Sequence, residues 1–549
     1  MANYKPFYIL LSVVALVVNF IGIRADFFTD DPGLYASIAK NMLYRHDALQ
    51  LFTYNTDWLD KPHFPFWAIL VSFKLFGVSA WAYRLPALLF FLLSLLYTYL
   101  FTRRFYTKEI ALAAVLILMT AQHLLLSNLD VRAEPYLMAL IIGSIYHIAR
   151  YNVKATGKHL LLAALLTACA IMTKGIFVIV AIYGALVGQF IAQKKILHLF
   201  HPKWLLLYLL TFLLTIPELY ALYVQFDAHP EKTVFGRQNV SGIRWFLWDS
   251  QFGRFINQGP IQQKKGGDKF FFVHTLLWAF LPWCLLFYYS LYQTFKSIWR
   301  KVKLPEYYTL SGGLLLLLLF SLSRFQLPFY TNILFPLFAI ITAPYCFKQL
   351  TRSGETYRKV VLLLFAIALP LIIVAIHLLA KPASNLYFIV ALILFGSIAA
   401  AIIIKVKETP YKIFMLTCCS VLFANFYLNT VIFPLVASYN SQIPAAKYAN
   451  RPEFSDARLY SLRMSNNSFQ FYSNKPVEFI PLERFKDFKP AGKTLFFASQ
   501  ASVDYLNNTH ADFKIIRSFI DYPQENVLPK FINVATRGQV LSKAYLISK

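Results

Sequence analysis

Residues 26–86 read DFFTDDPGLYASIAKNMLYRHDALQLFTYNTDWLDKPHFPFWAILVSFKLFGVSAWAYRLP. This stretch follows the first hydrophobic segment and is too polar to cross a bilayer, yet its apolar residues recur at helical spacing. Asp31, Asp60 and Lys61 lie in it beside two amphipathic segments. Charged groups beside helices that are too short to span a membrane predict chemistry at the membrane surface.

The composition predicts a polytopic helical membrane protein. Of 549 residues, 58% are hydrophobic and 14% are charged, whereas about a quarter are charged in soluble domains. The apolar residues fall in runs of roughly 20, long enough to span a hydrocarbon core, and helices satisfy their own backbone hydrogen bonds there. All five cysteines lie in these runs, which indicates neither a disulfide framework nor a cysteine metal site.

The net charge of +27 is assigned to cytoplasmic loops and to contacts with anionic membrane lipids, not to nucleic acid. Thirteen apolar runs are predicted spans, the first of them uncleaved, at 7–23, 82–102, 109–127, 135–149, 159–173, 175–193, 204–224, 270–290, 307–322, 328–346, 360–380, 385–404 and 413–436. The clusters of lysine and arginine in the loops between these runs all fall on the same side of the predicted membrane. The N-terminus is therefore predicted to be cytoplasmic, and residues 24–81, 225–269 and 437–549 are predicted to face outward.

The outward stretch 24–81 is predicted to contain two short helices that lie in the interface plane. Residues 31–45 form the first, with Asp31 as N-cap and Pro32 at the first helical position. Residues 64–76 form the second. The alternative for the second, a tilted transmembrane helix, would reverse the parity of the later basic clusters and is disfavoured.

Residues 437–549 are more polar and predict a small extracytoplasmic α/β domain, beside a transmembrane catalytic domain at 1–436. A helix is expected at 501–507. Alternating apolar and polar residues predict strands at RLYSLR (458–463), SFQFYS (468–473), VEFIP (477–481), TLFFAS (494–499) and FKIIRSFI (513–520).

Several outward carboxylates are candidates for general-base chemistry. Asp30 and Asp31 are adjacent and open a helix, and Asp130 follows the third predicted span. A carboxylate at this boundary either caps a helix or takes a proton from a substrate. Arg132 and Glu134 are expected to pair with each other.

Outward cations run against the positive-inside trend and favour an anionic ligand such as phosphate. Lys61 and Lys174 are the candidates in short loops, because lysine is a good phosphate ligand. Further outward cations are Arg237, Arg244, Arg254 and Arg324. His63 and His274 could ligate a divalent metal with Asp60 or Asp249, but their spacing matches no metal motif, so a metal cofactor is left open.

At these residues the chain resembles the membrane-embedded glycosyltransferases of the GT-C class, which use polyprenyl-phosphate sugars. Within that class it is most similar to the lipid A aminoarabinose transferases and their relatives among the protein O-mannosyltransferases. The resemblance covers most of the membrane part and is carried by DPGLYASIA (31–39), KPHFPFW (61–67), LFGVSAWAYRLP (75–86), TKG (173–175) and SLSRFQLP (321–328).

The resemblance implies a GT-C fold of about thirteen transmembrane helices with a C-terminal outer domain. It implies that Asp31, or the pair of Asp30 and Asp31, is the first-loop catalytic carboxylate and that Asp130 is the second essential acid. The donor phosphate is expected to be bound by Lys61, Arg254, Lys174 and Arg84, with support from Tyr35, Asp60, Arg132 and Arg324. The chain departs from the family pattern at Pro32, Leu34 and Gln251, where the family has an acid, an arginine and a histidine.

The implied reaction is an inverting transfer of a sugar from a polyprenyl phosphate, such as undecaprenyl phosphate, to an extracytoplasmic acceptor. Lipid A, a protein hydroxyl and another envelope glycan remain open as acceptors, and the location implied is a bacterial inner membrane. A transporter or flippase for a lipid-linked sugar is the alternative, and it would require charges in the middle of spans and broken helices there. A membrane scaffold for the outer domain is a third reading, which leaves the first-loop pattern unexplained.

Overall fold

The computed structural model describes residues 4–263, 267–490, 492–523 and 526–549. Helices dominate the first part of the chain. Several begin with a Ser or Thr whose side chain accepts from the backbone N–H three residues on, as at Ser79, Thr107 and Thr351. These helices are α1 (Lys5–Phe20), α2 (Asp30–Arg45), α3 (Phe64–Phe76), α4 (Ala80–Phe105), α5 (Lys108–Thr120), α6 (Gln122–Leu129), α7 (Glu134–Val153), α8 (Gly157–Lys174), α9 (Ile179–Ala192), α10 (Pro202–Leu222), α11 (Gly242–Arg244), α12 (Ser250–Ile256), α13 (Phe271–Ala279), α14 (Cys284–Trp299), α15 (Tyr308–Leu322), α16 (Phe335–Phe347), α17 (Arg352–Ala380), α18 (Leu386–Lys405), α19 (Thr409–Tyr427) and α20 (Phe433–Ala437).

The protein is a multi-pass membrane protein. Among the described residues, seven helices are long and apolar enough to cross a bilayer, or eight if α5 and α6, bent by 59°, form one span. Every predicted apolar run coincides with a helix or with a broken pair of helices. The count of thirteen spans stays a prediction, because several of the helices in these runs are short, such as α1 and α15.

The helices differ in how deeply they are packed. The span Pro328–Phe347, which includes α16, has 83% of its apolar window buried, whereas α17 has 17% and α18 has 22%. α16 therefore lies in the middle of the bundle, and α17 and α18 present most of their apolar surface to the surroundings.

The two short helices predicted in the first outer stretch are confirmed as α2 and α3. The predicted capping is wrong, because the N-cap of α2 is Thr29 and Asp31 lies inside the first turn. Asp31 there still interacts favourably with the positive end of the helix dipole. α3 packs between α2 and α4. The segment that joins α2 to α3 contains a short hairpin of two strands, β1 (Phe52–Thr53) and β2 (Thr56–Asp57).

The C-terminal part contains a five-stranded mixed sheet, as predicted for a small α/β domain. Its strand order is β4-β3-β5-β7-β6, with β3 parallel to β4 and β5, and β7 antiparallel to β5 and β6. The boundary after residue 436 stays a prediction. The elements are α21 (Gln442–Ala449), β3 (Arg458–Ser461), α22 (Asn467–Tyr472), β4 (Val477–Phe479), β5 (Thr494–Ser499), α23 (Gln500–Asn508), β6 (Lys514–Asp521), α24 (Pro529–Ile532) and β7 (Ser542–Ser548).

Two details of this sheet differ from the prediction. The prediction of a strand at SFQFYS (468–473) is wrong, because this segment forms helix α22. The last strand, β7, lies outside the predicted set. The alternation in SFQFYS also suits a single helical turn, and groups outside the segment decide between the two, as described below.

Candidate active site

One guanidinium joins the two predicted acids. Arg132 Nη1 lies 2.7 Å from Asp31 Oδ2, and its Nη2 lies 2.8 Å from Asp130 Oδ2. The Thr29 hydroxyl donates to the other oxygen of Asp130. The structure thus brings together residues from the first turn of α2, the end of α6 and the turn before α7. Charge-assisted bonds of this kind hold side chains in a fixed geometry.

The two acids have different access to solvent. The side chain of Asp31 is 45% exposed, whereas that of Asp130 is 6% exposed. Burial raises the pKa of Asp130 above its ordinary value, and the charge of Arg132 and the hydrogen bond from Thr29 oppose that rise. Asp31 is therefore the acid that a substrate can reach, and Asp130 is the acid that holds Arg132.

A second cluster forms around Asp60. Lys61 Nζ lies 2.6 Å from Asp60 Oδ2, and Arg254 pairs with the other carboxylate oxygen. The two predicted phosphate ligands, 193 residues apart in the chain, thus meet on one carboxylate. An anion with two or more oxygens could take the same donors, because phosphate and carboxylate are bound alike by lysine and arginine.

Lys174 pairs with Glu134, and both side chains are buried. The expected pair of Arg132 with Glu134 is wrong, because Arg132 bonds the two aspartates instead. The Lys174 ammonium lies 5.4 Å from the ring centroid of Phe329, and the Arg132 guanidinium lies 4.5 Å from the same ring. The Phe329 ring therefore lies near both cations.

Lys61, Lys174 and Arg254 line one narrow cleft. Its volume is about 20 Å³, enough for little more than one water. A phosphate would enter only if Asp60 or a neighbouring side chain moved. The other lining residues are Leu59, Asp60, Pro62, Glu218, Leu222, Trp245, Phe246, Ser250 and Gln251.

Arg84 does not reach this cleft, contrary to its expected role as a phosphate ligand. Its side chain is fully buried in α4. It donates to three backbone carbonyl oxygens, those of Leu129 at 2.7 Å, Ile23 at 3.0 Å and Ala25 at 2.5 Å. A guanidinium held by carbonyls fixes the loop before α2 and the end of α6, so we assign Arg84 a structural part.

Asp30 also lies away from the charged clusters. Its carboxylate accepts hydrogen bonds from Asn467 in the C-terminal part, which separates it from Asp31. Tyr35 is buried and packs against Phe66, with ring centroids 5.3 Å apart. Arg324 is exposed, and its backbone N–H donates to the carbonyl of the residue that follows Arg254.

The histidines considered as metal ligands have other partners. His63 is buried between Glu218 and the Leu49 carbonyl, each 3.0 Å away, and His274 pairs with Asp268 at the surface. In the described ranges of the chain, groups of three or more His, Cys, Asp or Glu side chains suited to a metal ion are absent.

The sequence reasoning missed Glu134 as the partner of Lys174, Thr29 as a donor to Asp130 and Phe329 as the ring between the cations. A signal existed for the first of these. Glu134 and Lys174 both stand at ends of apolar helices, where an isolated charge requires an opposite partner. The other two depend on the tertiary fold alone.

Comparisons with known proteins identify the same class that the motifs indicated. A family model described as dolichyl-phosphate-mannose-protein mannosyltransferase matches residues 60–220. The chain is 24% identical over 475 residues to an uncharacterized protein of Aquifex aeolicus (strain VF5), covering 85% of this chain and 87% of that protein.

A second relative carries a functional name. The chain is 25% identical over 339 residues to the undecaprenyl phosphate-alpha-4-amino-4-deoxy-L-arabinose arabinosyl transferase of Serratia proteamaculans (strain 568). That match covers 59% of this chain and 56% of the relative.

Solved structures extend the comparison to the whole chain. The crystal structure of ArnT from Cupriavidus metallidurans bound to undecaprenyl phosphate matches with a TM-score of 0.74 at 18% identity, covering 98% of this chain and 97% of that one. Its apo state matches with a TM-score of 0.73 and covers 99% and 98%. The chain therefore has the fold of ArnT over nearly its whole length, and its resemblance to the membrane-embedded GT-C glycosyltransferases is confirmed.

Proposed function

We propose that this protein is an integral-membrane glycosyltransferase that moves a sugar from a polyprenyl phosphate to an acceptor outside the cytoplasm. The names of the family model, of the Serratia relative and of ArnT all support this class of reaction. Undecaprenyl phosphate, which the ArnT crystal structure contains, is the proposed lipid carrier.

The donor phosphate is proposed to bind at Lys61, Arg254 and Lys174. These cations line one cleft, and each is now paired with a carboxylate, Asp60 or Glu134. A phosphate would exchange with Asp60 for the same donors. As the bond from the anomeric carbon to the phosphate oxygen breaks, negative charge grows on the phosphate, and fixed cations stabilise it.

Asp31 is proposed as the general base. The acceptor hydroxyl oxygen forms a bond to the anomeric carbon while Asp31 takes its proton, and the bonding electrons leave with the polyprenyl phosphate. A single displacement on the face opposite the phosphate inverts the configuration. Asp130 acts through Arg132 and positions Asp31, and so it is a positioning residue in this mechanism.

The observation that carries the proposal is the bridge from the exposed Asp31 through Arg132 to the buried Asp130, beside Phe329, which also contacts Lys174. It gives one reachable base next to a set of cations. The acceptor is proposed to be lipid A or a protein hydroxyl. The location is proposed to be the bacterial inner membrane with the C-terminal domain outside, as the parity of the basic loops supports.

The test is the Asp31→Asn variant of the full chain, purified in lipid nanodiscs. The probes are undecaprenyl-phosphate donors carrying 4-amino-4-deoxy-L-arabinose or mannose, each offered with lipid A or with a serine-containing peptide. Loss of a general base lowers kcat by about 10²- to 10⁴-fold. Asp57→Asn is the matched control, because Asp57 pairs with Lys232 in the same outer stretch.

Equal turnover in Asp31→Asn and Asp57→Asn would remove Asp31 from the mechanism. Movement of the intact donor across a vesicle membrane, with no sugar transferred to any acceptor, would replace the transferase by the transporter. Mass spectrometry of envelope lipids and glycoproteins from a strain that lacks the chain identifies the natural acceptor.

A further inference from the structure

Helix α22 of the C-terminal part lies along α2, and two charged side chains of α2 hold its ends. At its start, the Asp30 carboxylate accepts from Asn467 N at 2.9 Å and from Asn467 Nδ2 at 2.5 Å. At its end, Lys40 Nζ donates to the carbonyl oxygens of Gln470 at 3.2 Å, Phe471 at 3.0 Å and Ser473 at 2.5 Å.

This arrangement explains why α22 is a helix. A six-residue helix leaves most of its backbone N–H and C=O groups without helical partners, and a helix this short is not stable alone. A carboxylate at the N-terminus and an ammonium at the C-terminus satisfy those groups and match the helix dipole. The conformation of 467–472 therefore depends on α2.

The two helices also approach closely between these caps. A Cβ added to Gly33 would lie 2.7 Å from Ser468 N and 2.9 Å from the Asn467 carbonyl carbon. Ser37 Oγ donates to the Asn467 carbonyl oxygen at 3.2 Å. The α2 residues in contact with α22, namely Asp30, Gly33, Ser37 and Lys40, are spaced three and four apart and so form one face of the helix.

Asp31 is the next residue after Asp30, about 100° further around α2 at 3.6 residues per turn. A shift or rotation of α2 against α22 would therefore move the Asp31 carboxylate relative to Arg132. The backbone contact at Gly33 fixes the distance between the helices, and the caps fix their position along the axis.

We propose that α22 is a positioning element for Asp31, and that Asp30 and Lys40 are the positioning residues that connect the C-terminal domain to the site. This inference rests on the proposed function, in which Asp31 takes the proton of the acceptor. It gives the C-terminal domain a part in the chemical step. A domain that is merely attached through α22 would affect stability without affecting kcat.

The experiment uses Gly33→Ala in the full chain in nanodiscs, since the added methyl meets backbone atoms and pushes the helices apart. Gly396→Ala is the matched control, because it lies inside α18 with nothing within 4 Å of the added Cβ. Hydrogen exchange at amides 467–473 reports the docking, and steady-state kinetics report kcat and the KM for the donor.

We expect faster exchange at 467–473 in Gly33→Ala and a fall in kcat of about tenfold or more, since small displacements of a catalytic group have effects of this size. The donor KM should stay within about twofold, because the cations of the cleft lie outside the helix contact. Gly396→Ala should match the parent protein in all three quantities.

Lys40 provides a second test if Gly33→Ala folds poorly. Lys40→Met removes the donors and is expected to act like Gly33→Ala. Lys40→Arg is expected to retain most of kcat, because a guanidinium can donate to three carbonyls, as Arg84 does.

Asp31→Asn separates this inference from the proposed function. In that background Gly33→Ala should cause no further loss of kcat, and a full additional loss would show that α22 does not act through Asp31. Faster exchange at 467–473 with unchanged kcat would overturn the inference alone, provided that Asp31→Asn is inactive. Full turnover in Asp31→Asn would overturn the proposed function and the inference with it.

Discussion

Asp30 and Asp31 are neighbours in the chain and lie on different faces of α2. Asp30 faces the C-terminal domain and accepts from backbone and amide N–H groups of Asn467. Asp31 faces the charged clusters and is held by the side chain of Arg132. Two aspartates therefore have different parts. Asp30 caps helix α22 on one face of α2, and Asp31 lies partly exposed beside a cation on the other face.

The same contrast separates the cations of the molecule. Lys40 and Arg84 donate to backbone carbonyls, which cannot leave. Arg132 and Lys174 pair with carboxylate side chains, which can rotate away from them. The two groups of cations thus differ in the kind of partner that they have, and sequence position does not reveal that difference.

Among the charged residues near Asp31, we expect Glu134 to have the largest effect on folding stability. Glu134→Gln leaves the Lys174 ammonium buried without its counterion, which costs about 3–5 kcal/mol of folding stability. Thermal unfolding in detergent, followed by tryptophan fluorescence, measures the loss. Asp26→Asn is the control, since its pair with Lys447 is exposed and contributes about 0–1 kcal/mol. Equal unfolding midpoints for the two variants would contradict the importance of the buried pair.

A smaller effect is expected at the cleft. Arg254→Met should raise the KM for an undecaprenyl-phosphate donor by about 10- to 100-fold, because a hydrogen bond to a charged group contributes about 1.5–3 kcal/mol. Arg244→Met tests the specificity of that result. The side chain of Arg244 is 74% exposed and lies 3.5 Å from Asp249, in the same loop as Arg254, so its loss should leave the donor KM unchanged. A rise in both variants would indicate a general loss of outer positive charge.

The docking face should respond to pH. Burial raises the pKa of Asp30 to about 7, although hydrogen bonds from Asn467 oppose the rise. Asp30 therefore binds a proton more tightly when α2 and α22 are docked than when they are apart. Protonation of Asp30 favours docking at low pH, and this stabilisation is lost as the pH rises through about 7. Burial lowers the pKa of Lys40 to about 8, so Lys40 stays charged between pH 5 and 7 and its titration adds little pH dependence in that range.

Hydrogen exchange at amides 467–473, corrected for the intrinsic rate, should therefore increase between pH 5 and 7, by up to about 50-fold if the opening frees Asp30. In Asp30→Asn this dependence should disappear. If the exchange rate still rose with pH in Asp30→Asn, the titrating group would not be Asp30.

Much of the membrane part could be predicted, because long apolar runs require an apolar environment and each run coincides with a helix or with helices separated by a break. The pairing of charges could not. Glu134 and Lys174 are 40 residues apart and Asp30 and Asn467 are 437 apart, and local pattern carries no information about such partners. SFQFYS failed for the same reason, since the groups that make it helical lie on α2.

The break between α5 and α6 sets where the buried acid lies. An eight-residue helix is about 12 Å long, and at an angle of 59° it advances only about 6 Å along the direction of α5. A straight continuation would carry Asp130 about 6 Å further along the direction of α5, whereas Asp130 now lies 2.8 Å from the Arg132 guanidinium. A kink in an otherwise ordinary apolar segment thus determines where Asp130 meets Arg132.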